Sequence, residues 1–178
     1  RSNVGRAFVL IADAQVHIWG ANTPERPWPP AQLAPHRDQP FGREDLLREM
    51  DAAGVRRAVI VPPMWEGDRN DLALAAAAAE PDRLAVMGRV DIETEATRRL
   101  LPDWRRQPGM LGLRMVFHRP RYRPLLEERK LAWLWEGAEE AGIPIMVLVH
   151  PDQLHFIDEI AAAHPRLRLV LDHMAVHS

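Results

Sequence analysis

The sequence has no cysteine among its 178 residues. This absence excludes disulfide bonds, thiolate zinc sites and cysteine nucleophiles. Any metal must therefore be bound by histidine, aspartate, glutamate or neutral oxygen ligands. The absence of cysteine is compatible with a cytoplasmic location, which is the location we expect.

Long apolar runs and clusters of basic residues are also missing. The longest early apolar run covers residues 7–12, and Asp13 interrupts it. Such a run is too short for a transmembrane helix or the core of a signal peptide. The formal net charge is -2, without a polybasic segment. We therefore expect neither nucleic acid nor a membrane as a partner.

What the sequence does contain is an alternation of strand and helix patterns. Six short apolar runs are typical of buried parallel strands, at residues 8–14, 58–62, 84–90, 111–117, 145–150 and 167–172. Helical patterns separate most of them: Arg43–Ala53 before Gly54, an alanine-rich helix from Asn70 or Asp71, a helix capped by Thr94, one that Gly142 ends, and one capped by Asp152. The alternation predicts an α/β fold with right-handed crossovers.

One segment departs from this alternation. Six prolines lie within 17 residues, at positions 24, 27, 29, 30, 35 and 40. This density excludes regular helix and central strand. We therefore predict one domain over residues 1–178 with a proline-rich loop insertion at residues 22–42. The loop could cover an active site or be a plain surface insertion.

Polar residues recur where the predicted strands end, which is where a β/α barrel carries its chemistry. Asp13, Gln15 and His17 share one face of the first strand because side chains alternate. The later strand ends carry Arg89, Asp91, Arg114, His118, His150, Asp172 and His173. Each residue has a structural alternative: a core histidine, an Arg114–Asp91 ion pair, or a strand cap at Asp172. Their recurrence on several strands favours a site, since unpaired buried polar groups are costly.

Four segments resemble a known family. Residues 11–19 resemble the opening strand of amidohydrolase-related barrels, usually Asp-x-His-x-His-x-Trp. Residues 112–115, 143–151 and 164–174 resemble the fourth, fifth and sixth strands of those barrels. The resemblance implies a (β/α)8 TIM barrel, of which about six βα units are present here. It also implies hydrolase or decarboxylase chemistry.

The resemblance also suggests roles for individual residues. By carry-over, the catalytic residues are His17, His150 and His173, and the substrate-binding residues are Gln15, Arg114 and Trp19. A divalent metal, zinc or manganese, would be bound by His17 and His150; the alternative is a site without metal, as in some lactone-hydrolysing relatives. Gln15 stands where the family has its first histidine and is a weaker zinc ligand. The family's last two strands, with the aspartate of the eighth, are missing, and both chain ends suggest a fragment.

Three functions follow as hypotheses. The first is hydrolysis of a small, acidic, cyclic ester (a lactone) by carbonyl polarisation and water attack. The second is metal-dependent decarboxylation of an unsaturated or aromatic acid, against which Gln15 counts. The third is a truncated, inactive or binding protein, because six strands leave two open barrel edges. A small-molecule substrate is the expected partner, and homo-oligomerisation is left open.

Overall fold

The computed structural model describes residues 9–30, 35–37 and 39–175. Its centre is one parallel sheet in chain order: β1 (Ala12–Val16), β2 (Arg57–Ile60), β3 (Leu84–Gly88), β4 (Met110–Val116), β5 (Ile145–Leu148) and β6 (Leu169–Leu171). The helices are α1 (Arg43–Ala53), α2 (Asp71–Ala79), α3 (Glu95–Leu100), α4 (Arg123–Glu127), α5 (Ala132–Glu140) and α6 (Leu154–Ala163). The curled sheet with intervening helices confirms the expected α/β fold, as part of a (β/α)8 barrel.

The strand predictions are confirmed in number and order, with shifted ends. The first strand begins at Ala12 rather than residue 8, and Phe8 lies outside the described residues. β5 ends at Leu148, two residues before the predicted end. Regular pairing ends there because the chain turns into a 3₁₀ segment at Pro151, which has no N–H to continue a ladder.

The helix ends follow local capping chemistry. Gly54 ends α1 in the left-handed conformation, with φ of 71°. Thr94 caps α3 as predicted, since its side chain accepts a hydrogen bond from the Thr97 N–H. The predicted cap at Asp152 is wrong: α6 begins at Leu154 after a 3₁₀ turn, and the Asp152 carboxylate accepts from Arg123 instead. No helix in the described part of the chain has the length and apolar character needed to cross a membrane.

The two faces of the sheet carry two separate apolar clusters. The larger cluster lies between strands and helices and includes Ile60, Val86 and Val147. A smaller cluster of Val61, Met87 and Met146, with Val59 beside it, occupies the opposite face. Because side chains alternate along a strand, this smaller cluster marks the barrel interior.

The proline-rich segment is tied to the barrel by ion pairs. In its described part it contains turns and isolated bridges, Thr23 with Arg26 and Trp19 with Phe41. The Arg26 guanidinium donates to the buried carboxylate of Glu66 at 2.9 Å and to Asp71 at 2.7 and 2.8 Å. These contacts attach the segment to the chain that follows β2. The predicted boundaries of the insertion, residues 22–42, stay a prediction.

Candidate active site

Strand alternation points several polar residues into the barrel interior. Arg89 lies two positions after Met87, and His150 four positions after Met146, and both methionines belong to the interior cluster. On β4, Gly112 faces Met87, so Arg114 two positions later also points inward. The interior positions near the carboxyl ends of the strands are therefore Gln15, His17, Arg89, Arg114, His150 and Asp172.

A buried ion pair joins β4 to the end of β6. The Arg114 Nε donates to Asp172 Oδ2 at 2.8 Å, and Nη2 donates to the same oxygen. The side chains are 5% and 6% exposed, so this pair is almost fully removed from water. Arg114 thus pairs with Asp172 and not with Asp91, which the sequence had offered as the structural alternative.

Gln15 brings β1 into the same network. With the amide oriented so that its nitrogen faces the carboxylate, Gln15 donates to both oxygens of Asp172. The Asp172 carboxylate also accepts from the His173 backbone N–H at 2.9 Å. Asp172 therefore links the ends of three strands, β1, β4 and β6. The sequence predicted Gln15 and Arg114 as site residues, and it placed Asp172 among the polar strand ends with a strand cap as the structural alternative.

His17 is held in one orientation by a backbone contact. Its Nδ1 lies 2.6 Å from the carbonyl oxygen of Val61, which can only accept, so Nδ1 carries the proton and Nε2 keeps its lone pair. Burial lowers the pKa of His17, and the charges of Arg114 and Arg89 add to this effect. The Val61 contact and Asp172 act in the opposite direction. The result is a neutral imidazole that can accept a proton or ligate a cation through Nε2.

Arg89 is a buried cation at the end of β3. It is 9% exposed, and its Nε donates to the Gly67 carbonyl at 3.0 Å. The side chain of Asn70 accepts from the Arg89 N–H and donates to its carbonyl, both at 2.8 Å. The sequence placed Arg89 at a strand end but not among the site residues. Its parity with the interior residue Met87 is the signal that identifies it.

His150 is positioned by a buried glutamine. Its backbone N–H donates to the Gln153 side-chain oxygen at 3.0 Å, while the Gln153 amide nitrogen donates to the Phe117 carbonyl at 3.1 Å. Gln153 is 0% exposed, so it links the ends of β4 and β5 from within the protein. The imidazole of His150 lies edge-on against His118, with ring centroids 5.3 Å apart.

Trp19 and His173 lie at the margins of this arrangement. Trp19 is 4% exposed, stacks on Phe41 and packs edge-on against Trp65, which in turn packs edge-on against His17. The His173 side chain is 54% exposed, with Nε2 3.8 Å from Asp172 Oδ1. Trp65 therefore lies between Trp19 and His17 in this row of ring contacts. The predicted roles of Trp19 and His173 stay predictions.

The expected divalent metal can be tested against the available donors. His17 offers Nε2, but the Asp172 carboxylate is engaged by Arg114, and two guanidinium groups add positive charge. Within residues 9–30, 35–37 and 39–175, no group of three or more His, Asp or Glu side chains could hold a metal ion. The described residues therefore do not form a complete metal centre by themselves.

Comparisons with known proteins agree with this architecture. An L-fucono-1,5-lactonase of Burkholderia ambifaria is 29% identical over 172 residues, covering 92% of this chain and 56% of that protein. A zinc-bound amidohydrolase structure from Burkholderia multivorans has a TM-score of 0.70 at 22% identity, covering 94% of this chain and 58% of that one. A probable 2-pyrone-4,6-dicarboxylic acid hydrolase of Acinetobacter baumannii, with citric acid bound, has a TM-score of 0.69 at 19% identity, covering 94% and 59%.

The three matched proteins are longer than this chain. The chain spans somewhat more than half the length of each of these proteins, and the structural neighbours share its fold. The amidohydrolase family model matches residues 12–178, nearly the whole chain. The resemblance stated from the strand motifs is thereby confirmed, and the chain belongs to the amidohydrolase family.

Proposed function

We propose that this protein contributes the catalytic face of a hydrolase that opens a small, acidic, cyclic ester (a lactone). The observation that carries the proposal is a neutral, oriented His17 among buried cations at the strand ends. A base next to fixed positive charge suits water attack on an ester that carries an anionic group. The similarity to a protein named as a lactonase supports the same reaction class.

In the proposed reaction, His17 transfers a proton from water to the departing ring oxygen. His17 Nε2 accepts a proton from water as the water oxygen attacks the lactone carbonyl carbon. The carbonyl oxygen becomes an oxyanion, to which the His150 imidazole would donate a hydrogen bond. The ring carbon–oxygen bond then breaks, and the proton held by His17 passes to the departing oxygen, leaving a hydroxy acid. The exposed His173 would exchange protons with solvent.

Gln15 and Asp172 position the water in this scheme. The amide nitrogen of Gln15 faces Asp172, and its carbonyl oxygen would accept a hydrogen bond from the attacking water. The substrate carboxylate would be bound by a guanidinium at the strand ends, for which the sequence predicted Arg114. If the divalent metal expected from the family is bound, it would supply Lewis-acid polarisation of the carbonyl.

A panel of acidic and neutral lactones, with and without a chelator, tests the proposal on the product of the complete coding sequence. His17→Ala and His150→Ala should each lower kcat by roughly 100- to 10,000-fold, as expected for loss of an acid–base group. His155→Ala, an exposed histidine on α6, is the matched control and should leave turnover unchanged. Full turnover in His17→Ala and His150→Ala would contradict the proposal. Carbon dioxide release from an unsaturated or aromatic acid would favour the decarboxylase alternative.

A further inference from the structure

The two interior arginines differ in how their charge is balanced. The Arg114 guanidinium donates through Nε and Nη2 to Asp172, which is buried with it. A guanidinium in such a pair has little remaining capacity for a second carboxylate, and breaking a buried pair is strongly unfavourable. Arg114 is thus a weak candidate for binding the anionic group of a substrate.

Arg89 lacks such a carboxylate. Its side-chain hydrogen bond to a described residue runs from Nε to the Gly67 carbonyl, and no described carboxylate forms an ion pair with it. Burial lowers the pKa of Arg89, whereas Asp68, without a direct ion pair, favours the charged form. Both terminal nitrogens of the fork therefore keep their hydrogen-bonding capacity. A buried, always-charged guanidinium in this state is costly unless an anion completes it.

The backbone of Arg89 is held rigidly, which suits a binding role. Asn70 fixes both the N–H and the carbonyl of Arg89, and Gly67 fixes its Nε. The side chain loses little further freedom when a ligand binds, because its stem and Nε are already ordered. The fork is thus presented in one orientation, as bidentate recognition of a carboxylate requires.

A buried hydrogen-bond donor without a partner lies beside His17. The indole Nε1 of Trp65 is buried and has no hydrogen-bond partner in the described part of the chain. Trp65 lies against His17, with ring centroids 6.1 Å apart. The charge of Arg89 acts on the same imidazole by lowering the pKa of His17, in addition to the larger effect of burial. A buried donor without a partner and a guanidinium fork without a carboxylate, both near His17, favour a ligand rich in acceptor oxygens.

We infer that Arg89, rather than Arg114, binds the substrate carboxylate, with the Trp65 N–H as a second donor to a substrate oxygen. This inference rests on the proposed function and specifies its substrate-binding residue. Arg114 acts as a positioning residue that, through Asp172, holds Gln15 in place. Arg89 then determines the preference for acidic over neutral substrates.

Calorimetric binding of glutarate tests the assignment without any turnover, with the neutral diamide glutaramide as the comparison ligand. Arg89→Met should weaken glutarate binding on the order of 10- to 100-fold, the effect of losing hydrogen bonds to a charged group. Arg89→Lys, which keeps the charge but loses the fork, should give an intermediate Kd. Arg48→Met removes an exposed arginine of α1 and should bind glutarate like the unchanged protein. Equal glutarate binding by the Arg89→Met and unchanged proteins, or no preference for glutarate over glutaramide, would overturn the assignment.

Kinetics separate this inference from the proposed function. Arg89→Met should raise KM for acidic lactones more than it lowers kcat, and leave KM for neutral lactones unchanged. Lactone hydrolysis without dependence on Arg89 would refute the inference and leave the proposed function standing. Glutarate binding that depends on Arg89, without hydrolysis of any lactone, would support the anion site and refute the proposed function. Urea unfolding checks that Arg89→Met is folded; if it is not, Arg89→Lys carries the same comparison.

Discussion

The buried pair of Arg114 and Asp172 allows a sharp test of what holds the barrel mouth together. Asp172→Asn keeps the size of the side chain but removes its charge, leaving the guanidinium buried without a counter-charge. Both side chains are about 95% buried, at 5% and 6% exposure. Removing one member of such a pair costs about 3–5 kcal/mol of unfolding free energy. That is a large share of the roughly 5–15 kcal/mol that stabilises a typical domain.

A double substitution separates charge imbalance from lost packing. Arg114→Met combined with Asp172→Leu removes both charges and replaces them with apolar groups, so stability should return close to that of the unchanged protein. Urea unfolding of Arg114→Met, of Asp172→Leu and of the double variant measures the coupling between the sites. The exposed pair of Arg48 and Asp45 is the control, and breaking it should have a far smaller effect.

Two results would refute this reasoning. A loss below about 1 kcal/mol in Asp172→Asn would mean that water or another group compensates Arg114. Strictly additive losses in the double variant would mean that the two side chains stabilise the protein independently, in conflict with the hydrogen bonds between them.

Three further predictions concern other parts of the chain. Stability should fall as pH drops below about 6.5, because the unfolded chain takes up a proton there, whereas the lowered pKa keeps folded His17 neutral. His17→Asn should reduce the loss of unfolding free energy below about pH 6.5, and the control His155→Asn should not. Urea unfolding at a series of pH values measures this dependence. Gly112→Ala should cost about 1–3 kcal/mol, because an added Cβ would overlap the carbonyl oxygen of Pro144, the residue before β5. At Gly42 an added Cβ would meet only the Glu44 carboxylate, at an ordinary contact distance of 3.8 Å, so Gly42→Ala is the control. Glu66→Gln should cost about 1–3 kcal/mol of unfolding free energy, because it removes the buried negative charge that accepts a hydrogen bond from Arg26. The same substitution should accelerate limited proteolysis of the proline-rich segment, which this contact holds in place.

Much of the fold follows from patterns that are local in the sequence. The six strands, α1 with its end at Gly54, and the cap at Thr94 depend on apolar runs and on residues within a few positions of one another. Such preferences act in the chain before any long-range contact forms. The cap at Asp152 was predicted wrongly because Pro151 begins a 3₁₀ turn and the Asp152 carboxylate pairs with Arg123, 29 residues away.

The candidate site also combines features that the sequence predicts with features that depend on the tertiary structure. Sequence alternation alone places Gln15 and His17 on one face, and the strand ends predict that His150 and Arg114 lie near the barrel mouth. Only the tertiary structure decides which charges meet. The Arg114–Asp172 contact joins residues 58 positions apart, and the Val61 carbonyl that sets the His17 tautomer is 44 positions away. Burial and partner choice depend on how the strands assemble, so the sequence determined which chemical groups are available, and the fold determined which of them are paired and which are left to bind a ligand.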